Sequence, residues 1–199
     1  MKTTLQKLLP LFLLLPVVLA CGVAEKIQKG IEEANQPKVL TSTAGDCQLT
    51  VPGLWQTATG LHDDAIIQAS YTLGDVHVIV LPDERQDFAD TLTLDKFTKI
   101  IRDDLPTRFQ DAQLTEPVAT NINMLEAREF EVSGTVENIK VKYMYATVSS
   151  HNRFYQVIVW TTPSRYERNK ADMTNVVHSF KVMSRPPAAG DRTPARKVQ

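Results

Sequence analysis

The sequence predicts an α+β protein in which helices pack against an antiparallel sheet. Two observations carry that prediction. Short stretches with alternating apolar side chains and many β-branched residues recur between residues 47 and 81, and again between 127 and 161. Only two substantial stripes of helical period interrupt them, one starting at Leu94 and one after Pro163. With 43 % hydrophobic residues in 199, the chain has the apolar material for a packed core, which a disordered chain lacks.

The first strand expected is Cys47-Gln48-Leu49-Thr50-Val51, where every second residue is apolar and Pro52-Gly53 ends the run. Residues 65–71 give the next. Residues 75–81 give the clearest: Val76, Val78 and Val80 share one face, and His77, Ile79 and Leu81 share the other. The period changes at Leu94. Leu94, Phe97, Ile100, Ile101, Leu105 and Phe109 mark one helix face, Thr93 stands where an N-cap belongs, and Asp95 suits the first turn. Pro106 predicts a kink or an end there, with Phe109 in a separate short turn, because proline removes an intrahelical donor. Three strands follow, over 127–132, 136–148 and 154–161, with Ser149-Ser150-His151-Asn152 as a hairpin connection. Ser164 and Glu167 have the spacing of a capping box, and Tyr166, Met173, Val176 and Val177 form the buried stripe of the last helix. Phe180 and Val182 resume an extended pattern.

The ends of the chain are built differently. Lys2 and Lys7 precede an uncharged apolar run over 8–20, too short to span a membrane, so residues 1–20 read as a signal peptide. The run closes Leu19-Ala20-Cys21-Gly22, which resembles a bacterial lipobox. That resemblance implies cleavage before Cys21 and acylation of its thiol and new amine. Membrane lipid is then the first partner, since each buried methylene contributes about 0.8 kcal/mol. Ordinary secretion after Ala20 is the alternative. Gly22 in place of aspartate implies, by the sorting pattern of Gram-negative lipoproteins, the outer membrane, with the domain facing the periplasm. Residues 21–45 read as a lipidated N-terminus and linker, broken by Pro37 and the Thr41-Ser42-Thr43-Ala44-Gly45 run. Residues 184–199 read as a disordered, basic, proline-rich tail with Arg185, Arg192, Arg196 and Lys197 against Asp191. The domain is expected over 46–183.

The order of elements in 46–183 resembles the Mog1/PsbP-like superfamily, and in character its bacterial DcrB-like envelope lipoproteins. The likeness rests on Val51-Pro52-Gly53-Leu54-Trp55, the strand ending at Leu81, Leu94-Asp95-Lys96-Phe97, Phe154-Tyr155-Gln156-Val157 and the closing Ser179-Phe180-Lys181. It implies an α/β/α sandwich around an antiparallel sheet, and accessory or interaction roles in place of catalysis.

The chemistry-bearing residues agree with a non-enzyme that needs no cofactor. His62, His77, His151 and His178 form no HExxH, HxH or His/Cys cluster, so no metal site is expected. There is no G-x-S-x-G elbow and no phosphate loop. Asp75 and His77 share a strand face, as a structural pair. Cys47, flanked by Asp46 and Gln48, reads as a buried inert thiol. The charge balance, 22 Lys+Arg against 23 Asp+Glu, excludes a basic nucleic-acid binder. Tyr143 and Tyr145 share one face of their strand, and Phe154 and Tyr155 point to opposite faces, so one aromatic set can line a groove while the other fills the core. His62, Arg153 and Tyr155 are the candidates, by loop position and side-chain type, for an interaction surface. The function expected is a lipid-anchored periplasmic accessory or protein-interaction module of the bacterial envelope. The alternatives are a binder of a small apolar ligand and, last, a hydrolytic enzyme.

Overall fold

The computed structural model describes Glu32 and residues 35–183. The chain divides into a unit that ends at Gln36 and a folded unit that begins at Pro37. The expected signal peptide, Cys21 and the expected basic tail lie outside the described residues.

Among the described residues, eleven strands and two α-helices build the second unit. A large antiparallel sheet runs in the order β3 (Gln56–Thr57), β4 (Ile67–Tyr71), β5 (Val76–Glu84), β10 (Arg153–Thr161), β9 (Ile139–Ser149), β8 (Leu125–Val136), β6 (Gln110–Leu114); β7 (Val118–Ile122) pairs with β8 beside β6. A small sheet runs β1 (Lys38–Thr41), β2 (Cys47–Val51), β11 (Lys181–Val182). Helix α1 (Leu94–Arg108) lies on one face of the large sheet. Helix α2 (Pro163–His178) and β2 of the small sheet cover the other. This is the α+β architecture that the alternation and the two helical stripes predict.

Alternation explains both cores. Val76, Val78 and Val80 are buried with Cys47, Leu49, Val51, Tyr155, Met173 and Phe180 under α2. Ile79, Ile158 and Tyr145 point the other way, toward Leu105 of α1 and Phe109, the residue after it. The N-terminal half of α1 is fixed by Phe97 stacked on Phe154, ring centroids 4.5 Å apart, and by a buried Thr98–Thr147 hydroxyl pair at 2.6 Å. Thr93 caps α1 as its position predicts, accepting from the Lys96 N–H at 3.3 Å.

Several local expectations are corrected. The folded body starts at β1, not at residue 46: Lys38–Thr41 pairs with β2, and the Ser42–Gly45 run that reads as a linker end is the tight hairpin between them, with Gly45 at φ +69°. Helix α1 runs on through Pro106 to Arg108, because a proline in the last turn removes one hydrogen bond of a helix that is ending. The capping box does not form. Pro163 occupies the first turn of α2 with Thr162 as N-cap, so Ser164 lies inside the helix; proline's fixed φ suits that place. The strand expected over 136–148 breaks at Glu137-Asn138, whose φ values of +49° and +67° make a two-residue hairpin turn without glycine. Strands β6 and β7 have no clear alternation, since they sit at an edge with most side chains exposed.

Glu131 on β8 fastens the far side of the molecule. Its carboxylate meets Lys142 at 2.9 Å and Lys170 of α2 at 3.1 Å, and Lys142 sits 3.9 Å over the Tyr166 ring. Burial alone would raise the Glu131 pKa, but the Lys142 and Lys170 ammonium groups, with the Tyr166 hydroxyl nearby, outweigh it and hold it at about 2, below its ordinary 4.5. A depressed carboxylate stabilises the fold above its unfolded pKa and loses that contribution as pH falls through the folded one. Glu131→Gln therefore lowers the melting temperature at pH 7, and the gap to wild type closes as pH falls from 4.5 toward 2. Thermal unfolding across that range checks it.

Candidate functional site

Helix α1 does not cover the whole of its sheet face. Over β5 and β10 it leaves an open groove of about 870 Å³. The far wall is the β3–β4 loop, and the near wall is Ile101, Leu105 and Phe109.

Cross-strand register lays the floor in rows. Trp160 and Tyr143 lie side by side on β10 and β9, ring centroids 5.5 Å apart, and His77 of β5, outside the groove lining, stacks on the other side of Trp160 at 5.2 Å. The next row is Ile79, Ile158 and Tyr145, and the next contains Leu81 and Gln156. Burial pushes the Tyr143 hydroxyl up to about 12 and raises that of Tyr145 further, so both stay neutral and can donate hydrogen bonds. The floor is thus apolar and aromatic, with phenol and amide groups among the rings.

The rim is acidic. Asp104 pairs with Arg108 one helical turn on at 2.6 Å. Asp64 and Asp83 have no ion-pair partner among the described residues. Asp83 accepts from Gln156 Nε2 at 2.9 Å, and burial, only partly offset by that bond, raises its pKa. A half-buried carboxylate held by one amide favours a cationic or donor group on any occupant.

Gln68 builds the loop wall. Its Oε1 accepts from the N–H groups of Leu61 (2.9 Å) and His62 (3.3 Å), and its Nε2 donates to the His62 carbonyl at 2.9 Å. Gly60 makes the turn at φ +78°. His62 Nδ1 accepts from the Asp64 N–H at 3.2 Å. A strand glutamine that clamps the preceding loop has no signature in the sequence. Gln68→Ala frees the wall: faster amide hydrogen exchange over 60–65 with less change in α2 is the expected result.

The three residues expected from the sequence do not share one surface. His62 lines the groove. Arg153 is half-buried and ion-paired with both Asp46 and Glu84, which ties β2's hairpin to the end of β5. Tyr155 is 2 % exposed and packs its ring 5.1 Å from Phe180 on the opposite face of the sheet, so it belongs to the core. The aromatic set that faces the groove is Tyr143, Tyr145 and Trp160.

The other titratable groups near and beyond the groove are structural. Ser70 Oγ lies 3.0 Å from His77 Nδ1, across the β4–β5 pair. Asp75 Oδ1 is 3.6 Å from Nε2, beyond hydrogen-bond length, so it does not orient the ring as a base-activating carboxylate would. Cys47 is fully buried, and burial lifts its thiol to about 11. It should resist iodoacetamide in the native protein and react on unfolding, which mass spectrometry reads directly. Among the described residues no group of three or more His, Cys, Asp or Glu side chains could hold a metal ion, and no helix is long and apolar enough to cross a membrane.

No protein-family model and no curated protein matches the sequence. Solved structures do match the fold. A cyanobacterial PsbP (CyanoP) from Synechocystis sp. PCC 6803 aligns at TM-score 0.57 with 14 % identity, over 75 % of this chain and 94 % of that one. The chain has the Mog1/PsbP-like fold. LpqN, described as involved in cell envelope biogenesis of Mycobacterium tuberculosis, aligns at 0.56 with 12 % identity, over 75 % and 91 %. A Bacteroides thetaiotaomicron protein aligns at 0.53 with 7 % identity, over 75 % of this chain but 49 % of its own. At these identities the likeness is one of Mog1/PsbP-like architecture, and the groove must be read from its own residues.

Proposed function

We propose that this chain is a lipid-anchored accessory module of a bacterial envelope, held by acylated Cys21 at the outer membrane and facing the periplasm, and that its groove engages a segment of an envelope protein. The observation that carries the reading is the groove itself. Its aromatic floor is left uncovered by α1 and open along one side, and two carboxylates at its edge have no ion-pair partner among the described residues. Aromatic side chains with a polar end are common binding anchors. The rim favours a partner segment with apolar side chains beside a basic one. The lipobox-like Leu19-Ala20-Cys21-Gly22 supports the anchor, and LpqN's described role supports an envelope setting. A DcrB-like character is part of the same proposal. The work done is binding: the module adds a docking surface tethered to the membrane and raises the local concentration of what it holds.

A second reading, a small apolar ligand, is favoured by the groove's size, which falls in the range of about 300–1,000 Å³ usual for such sites. One experiment addresses both. Cells expressing the chain or its Cys21→Ser variant are labelled with palmitate, crosslinked, extracted in detergent and analysed by mass spectrometry. Label on the parent only, and a near-stoichiometric protein enriched with it, is the expected result. Recovery of a lipid or small molecule without any protein would move the second reading to first place.

A further inference from the structure

Asp83 is a half-buried carboxylate whose one side-chain contact among the described residues is Gln156, which donates from Nε2 to Oδ2 at 2.9 Å. Carboxylates taken out of water are ordinarily paired with a cation. The contact leaves Asp83 Oδ1 and Gln156 Oε1 without a donor among the described residues, two acceptors carried by the neighbouring strands β5 and β10. A planar guanidinium presents its N–H donors in a fixed fork and can bond two such acceptors at once, whereas an ammonium is a point charge with no matching fork. The rest of the lining has the same sign: Asp64, Asp83 and Asp104 stand against the single cation Arg108, which pairs with Asp104. Leu81, the cross-strand partner of Gln156, and Ile101, which packs on the Phe97–Phe154 cluster, offer apolar surface to the methylene stem of an arginine.

The direction of the groove sets what else its occupant carries. Helix α1 and the residue after it run along β10, from Phe97 stacked on Phe154 to Phe109, whose ring lies 5.2 Å from Tyr143, the cross-strand partner of Trp160. The groove beside them follows β10 from Gln156 through Ile158 to Trp160. These three residues share one face at period two and span about 13 Å. An extended segment laid along that line meets all three with alternate side chains.

We propose that the groove selects an extended partner segment in which an arginine, bonded to Asp83 and Gln156, stands four residues from a large apolar side chain on Trp160, with an apolar residue midway over Ile158. This inference rests on the groove being the engagement surface. It adds the chemistry that the surface selects, arginine over lysine at a set spacing.

The test uses the full chain, purified in detergent, and fluorescein-labelled heptapeptides. These carry arginine, valine and phenylalanine at the second, fourth and sixth positions, serine between them and glycine at both ends. The reversed sequence covers the other chain direction. In two further peptides lysine, or citrulline as an uncharged planar isostere, replaces the arginine. Anisotropy should report the arginine peptide, in one direction, binding about tenfold tighter than the citrulline peptide, with lysine between. Asp83→Asn should bring all three to the citrulline level. Gln156→Leu should level arginine with lysine while both stay ahead of citrulline. An arginine placed one residue closer to the phenylalanine should bind no better than citrulline. The peptide changes leave the protein untouched, so the ranking on the parent does not depend on how a variant folds. Equal binding of the three peptides to the parent, an arginine preference that survives Asp83→Asn, indifference to the spacing, or no binding in either direction would overturn the proposal. Failure of the groove reading looks different: partner recovery from cells would then be unaffected by Trp160→Ala, whichever peptide binds.

Discussion

Tyr155→Ala unfolds the protein more easily by about 3–5 kcal/mol, the cost usual for removing a fully buried aromatic ring. Tyr155 is among the largest fully buried side chains, is buried with Val80 and Val157 on the α2 side, and contacts Phe180 where the chain turns from α2 into β11. Removing it leaves a void that joins the large sheet, the small sheet and the end of the helix. Tyr155→Phe keeps the ring and loses only the hydroxyl, which lies beside Arg153, so its cost is about 1 kcal/mol. Urea denaturation of both variants checks the pair. The same two proteins should recover the envelope partner as well as wild type at temperatures where they are folded, because the side chain points away from the groove.

Trp160→Ala has the converse signature. Trp160 is half-buried, stacked between His77 and Tyr143, and lines the groove. As a central aromatic anchor its truncation should cost partner binding at least about 2 kcal/mol, roughly thirtyfold in affinity. Trp160→Tyr, which preserves a flat ring on the floor, should restore most of that loss. Affinity pull-down at fixed bait concentration, with the melting temperature measured alongside, separates loss of the surface from loss of the fold. A thirtyfold loss with Ala, recovered by Tyr, is a contact effect; losses that follow the melting temperature are not.

Much of this fold is legible because side-chain period reports burial. Val76, Val78 and Val80 announce a two-faced central strand, and Tyr166, Met173, Val176 and Val177 announce the buried stripe of α2. The signal fails where burial does. Strands β1, β6 and β7 are edge pieces whose exposed side chains leave no alternation to read. The turns at Asn123-Met124 and Glu137-Asn138 reach positive φ without glycine, so two hairpins carry no punctuation. The groove is half legible. Parity puts Tyr143 and Tyr145 on one face of β9 and divides Phe154 from Tyr155 on β10, but which face meets the groove depends on where α1 lies, and no residue on either strand states that. Sequence alone therefore puts Tyr155 on the surface, where Trp160 belongs. Gln68's hold on the loop wall, and Asp83's having an amide but no ion-pair partner among the described residues, are tertiary facts with no local trace.

Whether the groove is a docking surface, as proposed, is tested most directly by photo-crosslinking in living cells. A benzophenone side chain at Leu61, on the groove wall, is compared with one at Met124, which is 97 % exposed on the β7–β8 turn, outside the groove lining. One discrete adduct is expected from the Leu61 position, lost when Trp160→Ala is added and weakened by Cys21→Ser, and none from Met124. An adduct from Met124 with none from Leu61, or a Leu61 adduct indifferent to Trp160→Ala, would contradict the groove as the docking surface.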